Sequence, residues 1–283
     1  MRWRPLIVAL AGLALTGAPA RAMPVEATYA VLHSGVTVMD VQLSLRMAEG
    51  QYRIASIARA RGLGRLFLPR EQRAEAEGRL AGGEVLPVRY LAEGEWRGGA
   101  RRTVLEYLGR VPRPAVLEPP EAPDRIPVPP EQTEGTIDTL SALLSLSRAT
   151  AATGRCDLAG AVFDGRRRME WTSRTLGLDR PPLPGLAGEA LRCRLEGRVV
   201  AGFRRGDDPA RAGRARQAEA WIAVLGPGLP PLPVRVEVPS TFLGAFRLDL
   251  VRLAPQPTSA AANPGSSAGL AATGAPSAIA RGP

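Results

Sequence analysis

The feature that most constrains this chain is an alternation of apolar and polar side chains, with a period of two, across residues 25–108. The clearest run is Thr37 to Ala48. Met39, Val41, Leu43, Leu45 and Met47 share one face there, and Asp40, Gln42, Ser44 and Arg46 share the other. Successive side chains of a strand point to opposite faces, so the pattern specifies a half-buried antiparallel strand. Turn chemistry agrees: Ser34-Gly35 separates this run from Val25–His33, and Glu49-Gly50 separates it from Gln51–Ala60. Runs at Glu71–Leu80, Val85–Glu95 and Arg101–Leu108 continue the meander, with Gly82-Gly83 and Gly98-Gly99 at the bends.

Residues 109–135 break the pattern. Eight prolines, from Pro112 to Pro130, remove backbone donors, and the expectation is a long surface loop or a hinge. One amphipathic helix is expected at about 138–151. Ile137, Leu140, Leu143, Leu144 and Ser147 fall at helical spacing, and Thr136 or Asp138 can cap its start. Its apolar stripe requires a sheet to cover, which assigns it to core packing. Strands resume at Leu158–Phe163, Arg167–Thr175, Ala190–Val200, Glu219–Leu225, Leu232–Val238 and Ala245–Leu253. The expected fold is therefore mainly β, a curved antiparallel sheet or partly open barrel with one helix, in a single domain over 23–254. Residues 255–283 are Ala, Gly, Ser and Pro without periodicity, and a disordered tail is expected there.

The N-terminus reads as an export signal. Arg2 and Arg4 precede an apolar core from Leu6 to Leu15, and Ala20-Arg21-Ala22 supplies a cleavage pattern before Met23. Residues 1–22 are thus expected to be a cleaved signal peptide, with an uncleaved anchor as the alternative. The mature chain is expected in the periplasm or secreted, without a transmembrane span. The net charge of +10 carries little information about partners, because every basic residue except His33 is arginine and the arginines are spread along the strands. An anionic lipid surface is compatible with that charge. Nucleic acid is not expected in this compartment.

Cys156 and Cys193 are the only cysteines, an even count suited to an oxidising compartment. A bridge between them is expected. The alternative is two buried free thiols. Their spacing is not Cys-x-x-Cys, and two cysteines with one histidine fall short of a zinc site.

No catalytic constellation emerges. His33 is the only histidine, and a hairpin turn at Ser34-Gly35 accounts for it. Within residues 23–254, Gly-x-Ser-x-Gly, His-Glu-x-x-His and phosphate-cradling glycine loops are absent. Asp207-Asp208 lies in a Gly- and Arg-rich loop and reads as solvated. Arg166-Arg167-Arg168 is the densest basic run, either a contact for an anionic ligand or a solvated hairpin end. Outside the signal segment, Trp96, Trp171 and Trp221 are too few to indicate a sugar-binding platform.

Several pieces in order carry a family resemblance. They are a strand containing Tyr29 that leads through Gly35, Gly82-Gly83-Glu84-Val85-Leu86-Pro87-Val88-Arg89-Tyr90, Asp138-Thr139-Leu140-Ser141 at the helix start, and Val162-Phe163-Asp164-Gly165-Arg166-Arg167. A strand with Cys193, a Trp221-Ile222 strand and Leu232-Pro233-Val234-Arg235 complete the set. Over about 25–253 the chain resembles the bacterial family called domain of unknown function 3108. The resemblance implies an exported, mostly antiparallel β protein with one helix; it implies no activity, cofactor or site residues. The leading expectation is a non-enzymatic protein that binds a lipid or other apolar or amphipathic envelope ligand. The alternative is a structural or assembly partner of another envelope protein.

Overall fold

The computed structural model describes residues 25–96, 99–120, 125–181, 183, 188–239 and 244–255. The expected signal peptide, and the tail beyond Pro255, lie outside the described residues.

The first half of the chain forms β1 (Val25–His33), β2 (Val36–Ala48), β3 (Gln51–Ala60), β4 (Glu71–Ala81), β5 (Glu84–Trp96), β6 (Gly99–Leu108) and β7 (Val111–Glu118). Helix α1 (Thr139–Thr153) follows. The second half forms β8 (Leu158–Phe163), β9 (Arg168–Asp179), β10 (Ala190–Ala201), β11 (Arg216–Ala223), β12 (Leu232–Val238) and β13 (Phe246–Pro255). All thirteen lie in one antiparallel, nearly closed, barrel-like sheet of order β7-β6-β5-β4-β3-β2-β1-β13-β12-β11-β10-β9-β8. Each half is a meander of neighbours. The pairing of β1 with β13, from Val25 opposite Pro255 to His33 opposite Phe246, welds the halves together. A buried Arg235 guanidinium supports that weld from β12, donating from Nε to Asp249 Oδ1 (2.8 Å) and from Nη2 to Oδ2 (3.2 Å) on β13.

The proline-rich segment corrects one expectation. Residues 111–118 are a strand, not a loop, although they contain Pro112 and Pro114. The strand lies at the end of the sheet, where only one side needs donors, so proline is tolerated. The β7 and β8 edges are spanned by the chain that follows β7. Gly135 N–H bonds Arg110 O (2.8 Å), Ile137 N–H bonds Ala161 O (3.1 Å), and Phe163 N–H bonds Ile137 O (3.0 Å). Arg166 Nη2 reaches Pro119 O at 2.6 Å across the same gap.

Helix α1 lies inside the curve of the sheet. Asp138 caps it by accepting from the N–H groups of Leu140 and Ser141, both at 2.9 Å, and Gly154 ends it in the left-handed conformation. Thr136 does not share the cap; its hydroxyl donates to Thr133 O. Leu140 and Leu144 pack with Tyr52, Ile54, Ala76, Tyr90, Leu105 and Tyr107 in the main core. Burying a leucine in this way stabilises the fold by roughly 1.5–3 kcal/mol. The outward face of β3 and β4 is laced with ion pairs, Arg53–Glu75 at 2.7 Å and Arg59–Glu71 at 2.6 Å among them. Pairs this exposed add little energy, but they mark the face as one for water. Among the described residues no helix is long and apolar enough to cross a membrane.

Cys156 and Cys193 form a disulfide, with Cα atoms 6.3 Å apart. It ties the approach to β8 to β10 across the intervening β9, where the Cys156 N–H bonds Thr175 Oγ1 (2.9 Å).

Candidate functional site

The inward side chains of β2 to β6 form three successive rows, set by register. Leu45, Ile54, Ala76, Tyr90 and Leu105 make the first, which packs on α1. Leu43, Ser56, Ala74, Ala92 and Thr103 make the second, and Val41, Ala58, Gln72, Gly94 and Arg101 the third. Side-chain volume falls sharply from the first row to the second, and polarity rises in the third. The helix does not extend to the outer rows, because its first turn begins beside Tyr90, whose hydroxyl bonds Thr139. The result is a cavity of about 730 Å³ at the open end of the barrel. That lies within the roughly 300–1,000 Å³ usual for small-molecule sites.

The second half of the chain closes the cavity with arginines. The β8–β9 turn brings Asp164, Arg166 and Arg167, and the chain after β10 brings Gly202, Phe203, Arg204 and Asp207. Gly202 makes this apposition sterically feasible. A Cβ at Gly202 would fall 2.1 Å from the Arg166 carbonyl oxygen, and its φ of +84° suits glycine. Arg125 is anchored nearby, since its guanidinium donates to the Gly202 carbonyl and Ile126 N–H bonds Phe203 O at 2.8 Å.

Seven arginines and four carboxylates line the cavity. Asp164 is engaged locally: it accepts from the N–H groups of Arg166 (2.9 Å) and Arg167 (2.7 Å) and pairs with the Arg167 guanidinium at 3.1 Å. Arg101 has no carboxylate within ion-pair distance among the described residues. Burial, then the fields of Arg166, Arg125, Arg167 and Arg204, pulls its pKa down from the usual arginine range. The site is therefore electropositive, and guanidinium groups from four separate segments converge on it. Such an array suits a carboxylate or phosphate, which arginine can bind in bidentate fashion.

Beneath the floor lies a buried polar cluster. Asp138 is fully buried, and its Oδ2 accepts from the Ser141 hydroxyl at 2.5 Å, which in turn bonds Tyr52 OH at 2.7 Å. Burial pushes the Asp138 carboxyl up to about 6, against the pull of its hydrogen bonds from Ser141 and Leu140. Burial likewise raises Tyr52 and Tyr107 above the usual tyrosine range and takes Tyr90 to about 12.

The residues singled out from sequence divide. The run Arg166-Arg167-Arg168 is split, with the first two on the cavity and Arg168 on β9 donating to Glu170 at 3.0 Å. Asp207 lines the cavity and accepts from Arg204 N–H at 3.0 Å, while Asp208 caps the short turn Pro209–Ala212. His33 stacks on Phe246 with ring centroids 4.6 Å apart. Trp221 donates to Asp179 at 3.1 Å and lies under the Arg192 guanidinium. The Trp96 side chain lies outside the described residues. Many arginines are spread along the strands beside carboxylates, as Arg53, Arg59 and Arg192 are, but Arg101, Arg125, Arg166, Arg167 and Arg204 meet at one mouth.

Fold and site together define a nearly closed antiparallel β-barrel with an internal helix at one end and an arginine-rimmed cavity at the other. The chain belongs to the family described as Protein of unknown function (DUF3108), whose model matches residues 25–251. No curated protein and no solved structure matches it.

Proposed function

We propose that this is an exported, non-enzymatic protein of the cell envelope that holds an anionic amphiphile in the mouth of its barrel. The apolar part of the ligand lies against Ala58, Ala74, Ala92, Val199 and Phe203, and its acidic group meets Arg101, Arg125 and Arg166. The observation that carries this reading is the descent from bulky to small inward side chains, ending at a rim of converging guanidiniums. Small apolar walls give volume without specific chemistry, and the charged rim fixes which end of a ligand faces out. Assembly with another envelope protein through edge strands is the weaker reading. β7 carries Pro112 and Pro114, and β8 is already engaged by Ile137.

The test is native mass spectrometry of protein purified without detergent, followed by solvent extraction of what it carries. A reproducible adduct of lipid size, extracted as an acidic amphiphile, is the expected outcome. A bare mass unchanged by added envelope lipids would remove the carrier reading.

A further inference from the structure

The segment between β3 and β4 runs Arg61-Gly62-Leu63-Gly64-Arg65-Leu66-Phe67-Leu68-Pro69-Arg70, with three arginines and no carboxylate. Leu63, Leu66 and Phe67 are 68%, 72% and 84% exposed, the densest group of exposed large apolar side chains in the described chain. A loose loop could fold such side chains inward. This one is fixed. The 3-10 turn Gly62–Leu66 sets Leu63 and Leu66 three residues apart, where side chains eclipse on one side. Phe67 and Leu68 N–H both bond Gly64 O, at 3.1 and 2.8 Å, while Arg61 N–H bonds Val38 O (2.8 Å) and Ala60 N–H bonds Arg70 O (3.0 Å). Gly64 is buried against β2 so closely that a Cβ would lie 2.1 Å from the Val38 carbonyl oxygen. A rigid base therefore holds three apolar side chains out from the barrel.

The turn lies on the rim of the cavity mouth. β3 enters it just after Ala58 and β4 leaves it into Gln72 and Arg73, all three of which line the cavity. We propose that the turn docks the barrel, mouth first, onto an anionic lipid bilayer, with Leu63, Leu66 and Phe67 entering the boundary between headgroups and acyl chains. Arg65 and Arg70 then meet lipid phosphates. Charge selects this occupant. The turn is basic throughout, Arg61 is already matched by Asp40 at 2.5 Å, and a tip of three side chains is far smaller than the roughly 800 Å² per partner of a stable protein interface. Val36 is also exposed, at the start of the adjoining β2. The inference is separate from the cavity ligand, because vesicle binding reads the turn whether or not the cavity is filled.

The experiment is co-sedimentation with phosphatidylcholine vesicles containing about one quarter phosphatidylglycerol. The wild-type protein is expected to partition onto them, less so without phosphatidylglycerol or in high salt. The variant Leu63→Ser/Leu66→Ser/Phe67→Ser is expected to lose about tenfold or more in partitioning while its thermal unfolding matches wild type. A Phe67→Trp variant is expected to shift its emission to the blue on vesicle addition. Wild-type protein that stays in the supernatant, a triple variant that partitions like wild type, or bound Phe67→Trp protein with unshifted emission would each overturn the proposal. So would self-association that the triple variant abolishes and vesicles do not affect, which would assign the turn to a second copy of the chain.

Discussion

At the level of Ile54, Ala76, Tyr90 and Leu105 the barrel interior is solid, whereas two residues further along the same strands, at Ser56, Ala74, Ala92 and Thr103, it is hollow. Backbone geometry is shared by the two levels, so the difference lies in side-chain volume and in where α1 begins. The solid end has what a β-barrel needs to fold: interdigitated aliphatic and aromatic side chains with a helix laid among them. The hollow end packs thinly, with Leu43, Ala74 and Ala92 at the margin of the core, and it gathers like charges, an arrangement that opposes folding locally and suits an anionic guest. On the proposed function, stability and binding fall at opposite ends of one set of strands, which makes them separable by mutation.

The largest effect is expected at the solid end. Leu144→Ala removes a side chain that is 1% exposed and should cost about 2–5 kcal/mol in denaturant unfolding. Filling the other end with Ala74→Leu/Ala92→Leu should cost far less, about 1 kcal/mol or under, because the added atoms enter open space. Equal costs would erase the distinction. Next comes the disulfide. Closing a loop with a sequence separation of 37 is worth roughly 4 kcal/mol in the chain-entropy model. Cys156→Ala/Cys193→Ala should therefore lower the unfolding free energy by about 2–4 kcal/mol and leave cavity binding intact.

Asp138 sharpens the comparison through pH. Its carboxyl titrates at about 6 in the folded protein and at about 3.9 in an unfolded chain. Between those values the native state holds a proton that the unfolded chain has released, so the contribution of this residue falls as pH rises through that window. The loss approaches about 3 kcal/mol above pH 6. Asp138→Asn keeps a capping oxygen and should remove that slope, as read by unfolding midpoints from pH 4 to 7. A variant with the wild-type slope would show that the buried carboxyl does not titrate there. The smallest effect is expected on the ion-paired outer face, where Arg53→Ala should change stability by about 1 kcal/mol or less.

Much of the fold was legible because alternation and turn chemistry are local. Strands Val25–His33, Gln51–Ala60, Leu158–Phe163 and Leu232–Val238 begin and end where the pattern does, and Asp138 opens the helix as a capping residue should. Strand β7 was not legible, because proline counts against a strand until the sheet order reveals an edge. The site was hidden for a related reason. Arg101, Arg125, Arg166 and Arg204 sit far apart in sequence, and only the pairing register and the seam across β7 and β8 bring them together. Among the arginines at the mouth, only Arg166 and its neighbour Arg167 carried a local signal. The hollow could not be read either, since Ser56, Ala74 and Ala92 are unremarkable one by one and form a row only across three strands.

The central claim is that the hollow end binds an anionic amphiphile through its arginines and the solid end does not take part. It is tested most directly by titrating a dansyl-labelled fatty acid into wild-type protein, Arg101→Glu/Arg166→Glu and Ala74→Leu/Ala92→Leu. Saturable one-to-one binding to wild type, weakened about tenfold or more in both variants with unfolding midpoints nearly unchanged, is the predicted result. Binding that is equal in all three proteins, or absent from wild type, would contradict it.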